Sequence, residues 1–114
     1  MKVHITPNDK GNPPGKLADA EIHFEETDGV LSGTKLIGFG IWERRGGSER
    51  SVTFPARSYA VNGERRSFAL LRPIGDTQAT SGVREFILNA FVKYEEDTAK
   101  VESLSQAERA LGVQ

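Results

Sequence analysis

The dipeptide Asn62-Gly63 constrains this chain more than any other feature, because it lies between two runs that each read as a strand. Both residues tolerate the positive φ of a two-residue type I′ turn, so together they signal a hairpin. On the way in, Val52, Phe54 and Ala56 alternate with Thr53, Pro55 and Arg57, the period of a strand with one buried face. On the way out, Phe68 and Leu70 oppose Ala69 and Leu71. The returning strand is therefore expected to be apolar on both sides, and central in a sheet or covered on both faces. The ribbon spanning residues 51–73 also carries Arg57, Arg65, Arg66 and Arg72.

Charge is distributed unevenly around this ribbon. Residues 43–84 hold eight of the nine arginines against Glu43, Glu49, Glu64 and Asp76, a net of +4, whereas residues 1–42 and 85–114 carry −2 and −3. Arginine suits planar, bidentate recognition of phosphate or carboxylate better than lysine does. The plainer alternative is a solvated rim paired with the acidic ends of the same chain. With 114 residues and no cysteine, the chain is expected to form one domain with a single core, without disulfides or thiolate metal sites. No apolar run approaches the roughly 20 residues of a membrane span, and the first residues lack a signal-peptide pattern, so a cytoplasmic protein is expected.

Upstream of the ribbon the pattern is that of antiparallel strands. Residues 2–6 alternate and stop at Pro7, and the turn formers of residues 7–15 make a loop. In residues 17–26, Ala18, Ala20, Ile22 and Phe24 face one way and Asp19, Glu21, His23 and Glu25 the other, a half-exposed strand with an acidic outer face. Asp28-Gly29 turns the chain into the longest strand candidate, residues 31–43, where Leu36, Ile37, Phe39, Ile41 and Trp42 are apolar on both faces. Gly33, Gly38 and Gly40 within it predict a bend, a bulge or the close approach of another element. Arg44, Arg45 and Arg50 flank a polar hairpin loop that contains Gly46, Gly47 and Ser48.

After Pro73 the period changes. Val83, Phe86, Ile87, Ala90, Phe91 and Tyr94 recur at helical spacing, with Ser81 as the expected N-cap. Glu95, Glu96 and Asp97 oppose the macrodipole, so the helix is expected to stop there. The anticipated organisation is a single α+β domain over residues 1–97, with an antiparallel sheet of four to five strands followed by an amphipathic helix packed on one face. A C-terminal tail, residues 98–114, ends the acidic third. Ser105 to Glu108 has the form of a capping box and is expected to open at most one short further turn, with Val101, Leu104 and Leu111 free to dock on a partner.

Catalysis finds little support in these residues. His4 and His23 lie on different strands without metal-ligand spacing, and Glu25 beside them adds no motif. Strand alternation explains Asp19, Glu21 and Glu25 without acid–base chemistry. The glycines around Phe39 lack the lysine and the strand-to-helix context of a phosphate loop. A non-enzymatic protein with no cofactor and no metal is expected. Of the aromatic residues, Phe54, Phe68, Phe86 and Phe91 read as core, which leaves Tyr59 as the ring free to stack on a base.

Several short segments resemble the SpoVG (stage V sporulation protein G) family. They are Val52-Thr53-Phe54-Pro55-Ala56-Arg57, Asn62-Gly63-Glu64-Arg65-Arg66-Ser67-Phe68, Arg72-Pro73-Ile74 and the stripe from Ile87 to Tyr94. Upstream, Ala20-Glu21-Ile22-His23-Phe24 and Thr34-Lys35-Leu36-Ile37 fall where that family has its first two long strands. The resemblance spans residues 17–95. It implies a homodimer with exchanged or paired elements that binds DNA or RNA as a bacterial regulator. By the same likeness, Arg57 matches the first basic residue after the proline and Arg84 the basic start of the helix, while Ser58 replaces the second basic residue. The expected nucleic-acid contacts are Arg57, Arg65, Arg66 and Arg84, flanked by Arg44, Arg45 and Arg50. A protein-interaction module whose arginines meet acidic surfaces is the competing expectation.

Overall fold

The computed structural model of the protein describes residues 1–44 and 49–110. Four strands form one antiparallel sheet in chain order: β1 (Lys2–Pro7), β2 (Lys16–His23), β3 (Lys35–Glu43) and β4 (Arg50–Thr53). A 3₁₀ segment at Glu26–Leu31, interrupted at Gly29, links β2 to β3. Two further strands, β5 (Ala56–Val61) and β6 (Glu64–Ala69), pair only with each other, and the helix α1 (Ala79–Ala110) follows. The architecture is α+β, with the helix packed against sheet.

The core follows from strand alternation and register. Ala18, Ala20 and Ile22 of β2 share a face, opposite Ile41, Phe39 and Leu36 of β3, while Ile5 and Val3 on β1 and Val52 on β4 extend the same rows. Ile87 and Phe91 of α1 close over this face, and both are buried with Ala18, Ala20, Ile22, Phe39, Ile41 and Val52. The two alanines on the central strand keep the floor low and let the helix approach. An extra β3 residue near Ile37 and Gly38 breaks the ladder between Ala20 and Ile22, the expected bulge. Gly38 sits there at φ 106°, against buried Pro55, and Ile37 is turned out to solvent.

On the outer face, Trp42 Nε1–H donates to Thr53 Oγ1 at 2.9 Å, so the indole leans across Gly40. A Cβ at Gly40 would stand 2.8 Å from both atoms, so this glycine is required for space. Other side chains of this face meet in pairs: Lys16 with Asp19 at 2.6 Å, and Lys35 and His23 with Glu21 at 3.2 and 2.9 Å. His4 stacks on His23 with ring centroids 5.3 Å apart. The His23 hydrogen bond first, and then Lys35, hold the Glu21 carboxyl below the usual carboxylate range.

Three expectations are corrected here. The returning strand is neither central nor covered, because every residue of β5 and β6 is exposed. The cause lies at Phe54-Pro55: β4 ends at Thr53, and the chain leaves the sheet through a proline that cannot donate to a ladder. Ser81 is not the cap. Asp76 opens the helix by accepting the Gln78 N–H on Oδ1 at 2.9 Å and the Ala79 N–H on its carbonyl at 3.1 Å. Finally, α1 does not stop at Asp97 but runs unbroken through residues 105–108 to Ala110, a length of about 48 Å at helical rise. Leu111 lies outside the described residues.

Candidate functional site

The hairpin turns at Asn62 (φ 51°) and Gly63 (φ 80°), both in the left-handed region that the type I′ turn requires. This turn fixes the register, and the register sorts the side chains. Arg57 lies opposite Phe68, Tyr59 opposite Arg66, and Val61 opposite Glu64, all on one face. The other face holds Ala56, Ser58 and Ala60 opposite Ala69, Ser67 and Arg65. One side of the ribbon thus alternates guanidinium and ring, while the other is small and flat except for Arg65.

A further guanidinium joins the first face. Arg72 lies over the Phe68 ring, 4.9 Å from its centroid. Phe68 is 47% exposed and Tyr59 42%, so both rings remain open to solvent. Arg66 meets Glu64 at a loose 3.4 Å, and among the described residues Arg57, Arg65 and Arg72 have no ion-pair partner. A hydrogen bond from Leu70 N–H to Pro55 C=O, 2.9 Å, ties off the base of the ribbon.

The remaining arginines are placed differently. Arg50 donates from Nη1 to Glu95 Oε1 and from Nη2 to Glu95 Oε2 at 2.9 Å, with its guanidinium 4.8 Å from the Phe91 ring centroid. It is a clamp between β4 and α1, and its donors are occupied by carboxylate. Arg44 pairs with Glu49 at 3.0 Å across the hairpin loop. Arg84 is exposed near the start of α1, with its guanidinium 5.8 Å from the Phe54 ring centroid. Arg45 lies outside the described residues, as do Gly46, Gly47 and Ser48.

Sequence reasoning placed Phe68 in the core and did not use Arg72; both belong to the ribbon's aromatic face. Counting outward from Asn62-Gly63 would have found Phe68 opposite Arg57, since a two-residue turn sets every later pair. Phe91 is core as expected, Phe54 is half-buried with its ring edge-on to Phe39, and Phe86 is exposed. Among the described residues no three His, Asp or Glu side chains gather in the manner of a metal site. No described helix is long and apolar enough to cross a membrane. Compared with known proteins, the chain matches no family model, no curated protein and no solved structure.

Proposed function

We propose that the protein is a non-enzymatic nucleic-acid-binding regulator that grips DNA or RNA through the arginine face of its β5–β6 ribbon. The observation that carries this reading is the gathering of Arg57, Arg66 and Arg72 on one exposed face with Tyr59 and Phe68. Arg57 and Arg72, without carboxylate partners among the described residues, and Arg66, only loosely held by Glu64, are ready to neutralise phosphates and release their counterions. Arg65 and Arg84 act as flanking charges in this reading, while Arg44 and Arg50 are held by Glu49 and Glu95 and contribute least.

The working form in this reading is a cytoplasmic homodimer. A radius of gyration of 17.9 Å, against the roughly 13 Å of a compact chain this long, marks projecting parts. Val101 and Leu104 on the distal half of α1 are exposed apolar residues suited to a second copy. Fluorescence anisotropy of labelled duplex DNA and single-stranded RNA at about 50 and 200 mM salt tests the reading. Binding should fall steeply with salt and weaken in Arg57→Ala; no binding to either ligand at the lower salt overturns it.

One observation favours a protein-interaction module instead. Asn8 N–H bonds to Leu17 C=O at 3.0 Å, and antiparallel alternation then turns the N–H and C=O of Val3 and Ile5 away from β2. That open edge borders a groove of about 550 Å³ floored by Val3, Ile5, Phe86, Ala90 and Tyr94. An extended peptide adding to β1 would use it. Loss of a bound partner on Ile5→Pro, with nucleic-acid binding absent, would select this second reading.

A further inference from the structure

We infer that the ribbon takes unpaired rather than duplex nucleic acid, with two successive bases stacked on Tyr59 and on the Phe68–Arg72 pair. This rests on the nucleic-acid reading above and specifies its ligand. The argument begins with what a duplex binder lacks. A surface that only tracks a double helix needs cations and donors for phosphate, whereas an exposed ring is useful to a base whose flat face is free. In a duplex those faces are hidden in the stack. Here two rings stand open on the same face as the arginines, and neither helps to build the core.

Spacing sharpens the point. Tyr59 and Phe68 are diagonal neighbours across the two strands, since Tyr59 pairs with Arg66 and Phe68 with Arg57. Diagonal neighbours stand about 7–8 Å apart, roughly twice the 3.4 Å step between stacked bases. Consecutive bases reach both rings only when they are splayed apart, which a single strand allows. Each ring also has an arginine directly across the ladder, Arg66 for Tyr59 and Arg57 for Phe68, with Cβ atoms about 5 Å apart. The face therefore repeats one unit twice, a ring for a base and an arginine for a phosphate. At the second unit Arg72 covers part of the ring, so the base meets a guanidinium plane backed by Phe68. The opposite face, with Ser58, Ala60, Ser67 and Arg65, has no ring and only one cation.

The test uses the full chain with labelled oligo(dT), labelled oligo(U) and a duplex carrying the same number of phosphates. Single strands should bind at least about tenfold more tightly than the duplex. Tyr59→Leu and Phe68→Leu should each weaken single-strand binding roughly 5- to 100-fold with the salt slope unchanged. Arg57→Ala should lower that slope by about 1. Tyr59→Phe keeps the ring and should restore most of the affinity, which separates stacking from damage to the ribbon. A preference for oligo(U) over oligo(dT), or the reverse, identifies the sugar and supports the inference either way. Equal binding of duplex and single strand, untouched by the leucine variants but lost in Arg57→Ala, overturns the inference and leaves the nucleic-acid reading standing. If none of the three ligands binds at about 50 mM salt, that reading fails and the inference with it.

Discussion

The four-stranded sheet and the two-stranded ribbon are built from the same alternating pattern, yet they end in opposite states. On the sheet, alternation delivers Ala18, Ala20, Ile22, Phe39 and Ile41 to a face that α1 covers, and the outward charges are matched by neighbours such as Lys16 with Asp19 and Lys35 with Glu21. On the ribbon, alternation delivers Arg57, Tyr59, Arg66 and Phe68 to a face that nothing among the described residues covers. Period two states that a strand has two different faces; it does not state which of them will find a lid. What decides is whether the strand stays in the sheet beneath the helix, and Pro55 takes β5 out of it.

The comparison can be broken most forcefully in the core. Phe39→Ala empties a fully buried position and should cost about 3–5 kcal/mol, read as a large fall in urea midpoint, whereas Phe68→Ala on the ribbon should shift that midpoint little. Equal losses at the two sites would mean that the ribbon is covered after all. Gly40→Ala comes next. Its new Cβ would displace Trp42 and Thr53 from their 2.9 Å hydrogen bond, costing about 1–3 kcal/mol and altering the emission of the single tryptophan.

Gly63→Val sharpens the contrast, because it strains a turn at φ 80° by about 1–2 kcal/mol. Amide exchange should accelerate in β5 and β6 while the sheet's global stability stays close to its original value. Arg50→Ala tests the clamp between β4 and α1. The Arg50 and Glu95 side chains are 34% and 43% exposed, so solvent screening limits the loss to at most about 1 kcal/mol, and the loss should shrink further in high salt.

The gentlest perturbation is acid. Because the Glu21 carboxyl titrates below its ordinary range in the folded protein, it binds protons less readily than in the unfolded chain. Its contribution is complete above the ordinary carboxylate pKa and is lost as pH falls through the lowered folded value. Denaturant midpoints compared at about pH 6 and pH 3, in the protein and in Glu21→Gln, should converge at the acid end.

Much of the fold was legible because local chemistry and final environment agree. The alternation in β2, the Asn62-Gly63 turn and the helical stripe from Val83 to Tyr94 each follow from neighbours a few residues away. The helix end was not legible for the opposite reason. Glu95 opposes the helix dipole and argues for a stop, but its carboxylate is held by Arg50, which is 45 residues distant in sequence. The same distant contact takes Arg50 out of the candidate site, which composition could not reveal: eight arginines in one third of the chain look alike until a register and a partner distinguish them. Phe68 was misread as core by its chemistry alone, although its position relative to the turn was already fixed.

The Asn62-Gly63 turn has a bearing on how the ribbon can change in length. Because its strands pair residue for residue outward from a two-residue loop, removing two residues from each strand shortens the ribbon and leaves the surviving rows in phase and on their original faces. Deleting a single residue between Ala56 and Val61 does something else. It moves every side chain between the deletion and Pro55 through the plane, so that serine and alanine appear where tyrosine and arginine stood. Lengths that differ by two residues on each strand are therefore the ones a lineage could sample without rewriting the surface. Odd changes would have to be absorbed by a bulge or be lost.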